Sequence, residues 1–335
     1  MFHVCLKVAS TSLSTPFDGT NRPESWRRSA PGINEALECS ADRTGEPAGA
    51  SLKDLLARTR ARLKAVGIEE YQLEGELLLQ HVLNIDSARM FAALTDRVDP
   101  EVETQLHRLT VHRESRQPLA YITGRKAFYG REFEVTPDVL IPRTETELLV
   151  GLVLGWVTKY PEFRSGVRIA DIGTGSGTLA VTLAAELPHA SVDAVDLSPP
   201  ALVVARANAS RFGVVDRIEY FEGDLAAPLA GRNYQIVVAN LPYVRSDTFE
   251  SAQQEVRREP VLALLGGEGG LDVVRRLAPM LEPIMDASGS IVLFEVDPLT
   301  YVGAVEALSE ALPSARVRVE LDLAGLERCV VAELG

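Results

Sequence analysis

The stretch Val167-Arg168-Ile169-Ala170-Asp171-Ile172-Gly173-Thr174-Gly175-Ser176-Gly177-Thr178 decides how this chain is read. An apolar strand over 167–172 runs into three alternating glycines, and a helix is expected over 176–187. Glycines at such a junction let the backbone turn tightly and let a ligand lie against it with no Cβ in the way. Further out, strands are expected at 190–195, 217–221, 233–239, 289–296, 316–321 and 327–333. Helices are expected between them at 199–212, 271–285 and 303–312. This alternation predicts an α/β fold, a doubly wound, mostly parallel sheet of seven strands with helices on both faces.

Acidic residues stand where such a sheet binds a nucleotide. Asp196 ends the second strand, 21 residues beyond Gly175, where a carboxylate accepts hydrogen bonds from ribose hydroxyls. Asp224 follows the third strand on the same carboxyl edge. A glycine turn serving only the fold would not call for acids at both strand ends. The dinucleotide fingerprint G-x-G-x-x-G fails because residue 178 is threonine, and no G-x-x-x-x-G-K-[ST] loop is present. The form D-x-G-x-G-x-G, followed by the two acids, resembles the S-adenosylmethionine loop of class I methyltransferases. The resemblance implies that Asp171, Gly173, Thr174, Gly175, Ser176, Gly177, Asp196 and Asp224 bind that cofactor, which would leave as S-adenosylhomocysteine. No metal is expected: Cys5, Cys39 and Cys329 lie far apart, without C-x-x-C spacing.

Ala239-Asn240-Leu241-Pro242-Tyr243-Val244 leaves the fourth strand on the same edge. Taken alone, this is an ordinary loop start. Beside the glycine loop it resembles the N-P-P-Y signature of methyltransferases that modify planar nitrogens. An amide or aniline-like nitrogen is a poor nucleophile because its lone pair is delocalised. If the Asn240 side-chain oxygen and the Leu241 carbonyl accept its two N–H bonds, the lone pair can turn toward a methyl donor. Tyr243 would wall the planar group and Pro242 would stiffen the loop, so catalysis would rest on positioning and placed dipoles. Leu241 stands where the common signature has proline, but Pro242 still biases it toward extended dihedrals. Asn240 to Tyr243 are thus the catalytic candidates, with Asn240 also bordering the cofactor. Because N-L-P-Y occurs in ribosomal-RNA adenine dimethyltransferases too, N6-adenine methylation of DNA or rRNA stays open as an alternative.

Toward the N-terminus the pattern changes. Residues 1–50 are rich in Ser, Thr, Pro and Gly without periodicity and read as a disordered tail. Ser51-Leu52-Lys53-Asp54 fits a capping box, and helical spacing recurs to residue 116, which predicts a small helical bundle over 51–116. Residues 117–150, punctuated by Gly124, Gly130, Pro137 and Pro142, read as a connector or hairpin ahead of the domain over 151–335.

The connector makes the resemblance specific. Pro118-Leu119-Ala120-Tyr121-Ile122-Thr123-Gly124, Phe128-Tyr129-Gly130 and Leu140-Ile141-Pro142-Arg143-Thr144-Glu145-Thr146-Glu147 are similar to peptide chain release factor glutamine methyltransferases, the PrmC/HemK family. Glu259-Pro260, Gly266-Gly267-Glu268-Gly269-Gly270-Leu271 and Asp322-Leu323-Ala324-Gly325-Leu326-Glu327-Arg328 continue the likeness, which covers about residues 51–334. It implies a class I methyltransferase sheet with an N-terminal helical substrate-recognition domain. It also implies methyl transfer to the glutamine side chain in the Gly-Gly-Gln loop of class 1 release factors. Leu225, carried over as a cofactor contact, replaces an aromatic residue of some members, so a weaker adenine contact is expected. Phe294-Glu295-Val296-Asp297 departs from a usual Glu-Ile-Gly run, which leaves that strand end without an assigned role. Pro142 and Arg143 either border the pocket or serve the connector.

Composition narrows the partners. Residues 131–335 hold 17 Lys/Arg and 30 Asp/Glu and so carry the whole net charge of −13. A non-specific nucleic-acid binder needs the opposite sign, so no direct nucleic-acid partner is expected. No run reaches the length of a membrane-spanning helix and no secretory signal opens the chain, so a cytoplasmic location without membrane contact is expected.

Overall fold

The structure, a computed structural model, describes residues 50–335. The tail expected over 1–50 lies, apart from Ala50, outside the described residues, as do Cys5 and Cys39.

Four helices come first among the described residues: α1 (Leu52–Ala65), α2 (Tyr71–Leu83), α3 (Ser87–Ala92) and α4 (Pro100–Glu114). The Ser51 hydroxyl accepts from the Asp54 amide at 3.2 Å, and the Asp54 carboxylate accepts from the Ser51 amide at 3.1 Å. The two groups thereby cap reciprocally the free donors of the first turn. Leu55, Leu56 and Leu63 from α1 meet Leu78 and Leu79 from α2, Met90 from α3 and Leu106 from α4 in one buried cluster. A short helix α5 (Leu119–Thr123) leads into a hairpin of β1 (Arg125–Phe128) and β2 (Arg131–Glu134). Its two-residue turn puts both Tyr129 (φ 48°) and Gly130 (φ 70°) in the left-handed region, as the twist of a tight hairpin requires. Helix α6 (Glu147–Lys159) follows, and the boundary expected at 150/151 falls inside it.

The seven remaining strands are β3 (Val167–Ile172), β4 (Ala190–Asp196), β5 (Ile218–Glu222), β6 (Ile236–Ala239), β7 (Ser290–Glu295), β8 (Arg316–Leu321) and β9 (Glu327–Leu334). They form one sheet in the order β5-β4-β3-β6-β7-β9-β8, parallel except for β9, which runs antiparallel to both neighbours. The helices are α7 (Thr178–Glu186), α8 (Pro199–Arg211), α9 (Ser246–Phe249), α10 (Asp272–Leu277) and α11 (Tyr301–Ala311). Strand residues alternate between two cores. Ile169, Ile236, Val238, Ile291 and Leu293 pack with α6 and α7, whereas Ala170, Ile172, Val237, Val292 and Phe294 pack with α10 and α11. This is the expected doubly wound class I methyltransferase sheet with a small helical bundle before it.

One expected helix is corrected. The periodicity over 271–285 suggested a single helix, but α10 stops at Leu277 and the chain continues as two single 3-10 turns, Ala278–Met280 and Glu282–Ile284. Pro279 and Pro283 lack the amide hydrogen that an unbroken helix would require there, and each sits in the first turn of a new segment.

Candidate active site

The site lies where the chain order reverses. Ile172 pairs with Val195 on one side and Ala239 on the other, so β3, β4 and β6 end together and their loops share one edge. Open α/β sheets bind ligands at this switch point. A cavity of about 470 Å³ opens there, and Asp171, Gly173, Thr174, Gly175, Ser176, Asp196, Asp224, Leu225, Asn240, Leu241 and Pro242 all line it. Gly177 and Tyr243, also expected at the site, are not among its lining residues.

Gly173, Gly175 and Gly177 have φ of 75°, 54° and 79°, a left-handed conformation that costs a side-chain-bearing residue about 1–2 kcal/mol each. The Gly173 and Thr174 amides both donate to the Val195 carbonyl at 2.9 Å, which ties the loop to β4. The Gly175 amide donates to Asp196 Oδ2 at 2.8 Å, and the Ser198 amide donates to Asp196 Oδ1 at 2.9 Å. Burial nevertheless pushes the Asp196 carboxyl above its ordinary value, with these amides pulling it back. Gly177 works from behind the loop: a Cβ there would sit 3.0 Å from the Ala205 Cβ on α8. At Gly175, by contrast, a Cβ would meet no atom of the described residues within 4 Å. Asn208 on α8 donates to the Ser176 carbonyl at 2.9 Å and exchanges hydrogen bonds with the Glu134 backbone, which pins loop, helix and hairpin together.

Asp171 is 1 % exposed. Its Oδ2 accepts from the Thr174 hydroxyl at 2.7 Å and the Ala180 amide at 3.0 Å, while its Oδ1 is buried with no hydrogen-bond partner among the described residues. Burial pushes this carboxyl up to about 6, against the pull of the two hydrogen bonds. Asp224 is paired with Arg276, which also lines the cavity. Leu225 is buried with φ 52°, held left-handed without being glycine.

Beyond β6, the Asn240 side-chain Nδ2 donates to the Thr146 hydroxyl at 2.9 Å. Thr146 donates in turn to Glu295 Oε2 at 2.5 Å, and the Tyr243 hydroxyl donates to Glu295 Oε1 at 3.2 Å. Glu295 closes β7 at 1 % exposure, and burial lifts its carboxyl to about 7. Tyr243 therefore faces this carboxylate, and its hydroxyl is pushed well up by burial and by the same charge. The connector reaches the site as well. Pro142 lines the cavity, and Arg143 pairs at 2.5 Å with buried Glu259, which also accepts from the Ile141 amide at 2.9 Å. Thr146, Glu295 and Glu259 are the site residues that sequence reasoning did not single out. All three lie in motifs quoted above, but only the fold brings the first two together. Among the described residues, no group of three or more His, Cys, Asp or Glu is placed to hold a metal ion, and no helix is long and apolar enough to cross a membrane.

Two family profiles match: one described as the PrmC N-terminal domain over residues 54–124, and one described as a methyltransferase domain over residues 169–259. The release factor glutamine methyltransferase of Moorella thermoacetica is 37% identical over 283 residues, 84% of this chain and 98% of that protein. The release factor glutamine methyltransferase of Cereibacter sphaeroides is 38% identical over 282 residues, again 84% and 98%. A solved protein-(glutamine-N5) methyltransferase from Alicyclobacillus acidocaldarius aligns at a TM-score of 0.38 with 28% identity, covering 60% of this chain and 99% of that one. That superposition is too loose to add to what the sequence identities establish. With more than a third of its residues shared along nearly the whole length of such proteins, the chain belongs to the release factor glutamine methyltransferase family.

Proposed function

We propose that this protein transfers a methyl group from S-adenosylmethionine to the side-chain amide nitrogen of the glutamine in the Gly-Gly-Gln loop of class 1 release factors, with residues 51–116 as the substrate-recognition part. The observation that carries the reading is the orientation of Asn240. Its Nδ2 is committed to Thr146, so its Oδ1 is the end left to accept a hydrogen bond, at the wall of the cavity.

The cavity suits the cofactor. Asp171 Oδ1, buried without a donor, matches a cationic ligand, and the bare backbone of Gly175 leaves room for one against the loop. Asp196, its two oxygens held by amides at the cavity wall, would accept from ribose hydroxyls, and Leu225 and Asp224, which line the same cavity, would border adenine. When bound, S-adenosylmethionine supplies an electrophilic methyl on a sulfonium. The protein's own part is to hold the substrate. Asn240 Oδ1 and the Leu241 carbonyl would accept the two amide N–H bonds, which turns the nitrogen lone pair out of conjugation. Pro242 limits the loop's freedom, so the nitrogen is presented with its entropy of approach already spent. Neither carbonyl oxygen is basic enough to keep the proton that the nitrogen must shed, so that proton passes on to water.

Asn240→Ala tests this reading. It should leave S-adenosylhomocysteine affinity within about threefold and lower methyl transfer to a release factor by about 10²-fold or more. Unchanged turnover would remove Asn240 from the chemistry.

A further inference from the structure

We infer that Glu295, acting through the Thr146 hydroxyl, fixes which way round the Asn240 amide sits and is thus a positioning residue for the substrate amide. The inference rests on the methyl transfer proposed above. Nothing in the sequence assigned this strand end a role, and Glu295 itself does not line the cavity.

The geometry gives the direction of every hydrogen in the chain of contacts. An ionised carboxylate can only accept. The Thr146 hydroxyl at 2.5 Å and the Tyr243 hydroxyl at 3.2 Å must therefore both point their protons at Glu295. With its proton committed, Thr146 Oγ1 has only lone pairs to offer, and the Asn240 group facing it at 2.9 Å must be the donor Nδ2. The amide oxygen is left for substrate. A protonated Glu295 reverses this order: it can donate to Thr146, whose own proton then turns toward Asn240 and favours the flipped amide. The site would then meet the substrate N–H groups with another donor. Reaction thus requires the ionised form.

The groups that face Glu295 fit a carboxylate whose charge is balanced but not fixed. Tyr243 follows β6, Arg328 and the thiol of Cys329 come from β9, and Glu145 lies just before α6. Arg328 favours the charge, Glu145 opposes it, and burial is the largest influence, raising the group to about 7. Arg328 itself is shared with Asp322 at 3.2 Å, so Glu295 has no dedicated cation among the described residues.

The test uses the full chain with a release factor and saturating S-adenosylmethionine. Glu295→Gln can keep its carbonyl toward Thr146 and turn its NH₂ to the Tyr243 oxygen, which preserves the Asn240 orientation at every pH. Its kcat should stay within about tenfold of wild type at pH 8 and should lose the fall that wild type shows between pH 8 and 6. Thr146→Val keeps the side-chain shape but removes the relay. It should lower kcat by about 10²-fold and leave S-adenosylhomocysteine binding by calorimetry within about threefold, and Thr146→Ser should restore most of the loss. An acid limb in Glu295→Gln equal to that of wild type would overturn the inference, as would a Thr146→Val kcat within threefold of wild type. Wild type that methylates no release factor would overturn the proposed function instead, and the inference with it.

Discussion

On the proposed reading Asp171 sets the needs of the cofactor against those of the fold, and Asp171→Asn separates them. In the ligand-free protein its carboxyl is buried, with one oxygen unpartnered, and titrates near 6 rather than at the ordinary 3.8. The folded state thus binds this proton more tightly than the unfolded chain. The stability that the protonated group contributes is fully present below pH 3.8 and is lost as pH rises through 6. At 1.36 kcal/mol per tenfold change, the loss reaches about 3 kcal/mol by pH 7.5. Asparagine can offer its oxygen to Thr174 and Ala180 and never ionises. Ligand-free Asp171→Asn should therefore be more stable than wild type at pH 7.5 by up to ~3 kcal/mol, roughly 5–10 °C in Tm. The gap should shrink to about half at pH 5, where much of the wild-type carboxyl is already protonated when folded. Scanning calorimetry at the two pH values measures it. The same variant should bind S-adenosylmethionine about 10- to 100-fold more weakly, because it lacks a charged acceptor for a cationic ligand. A variant that melts at or below wild type at pH 7.5 would refute the claim that the folded protein bears an unsatisfied carboxylate.

Gly177→Ala should cost about 2–4 kcal/mol in urea unfolding, from its left-handed backbone and the approach of its Cβ to Ala205. Arg113 on α4 is 4 % exposed and pairs with Glu74 on α2 at 2.5 Å and with Glu255, beyond the loop that holds Asn240 and Tyr243, at 2.9 Å. Arg113→Ala should therefore lower stability by about 3 kcal/mol, and adding Glu255→Ala should cost less than the two single losses together.

The parts legible in the sequence are those whose physics is local. The glycine loop reads correctly as a tight turn because alternating glycines between an apolar strand and a helix leave few other conformations, and β6 and β7 read correctly because their residues are buried without interruption. The 271–285 segment misleads because apolar periodicity continues through Pro279 and Pro283, whose missing hydrogens break the helix without disturbing the pattern. Glu295 is opaque for a different reason. An acid closing an apolar strand looks like an ordinary exposed terminus, and its partner Thr146 is 149 residues away, so only the fold shows that the two are hydrogen-bonded. The motif expects Tyr243 to wall the substrate and says nothing of the Glu295 carboxylate that its hydroxyl meets.

Mass spectrometry of a class 1 release factor incubated with this protein and S-adenosylmethionine tests the central claim most directly. The Gly-Gly-Gln peptide should gain the mass of one methyl group, located on the glutamine side chain, and a Gly-Gly-Ala variant should gain none. Equal labelling of both, or label found in RNA and not in the release factor, would contradict it.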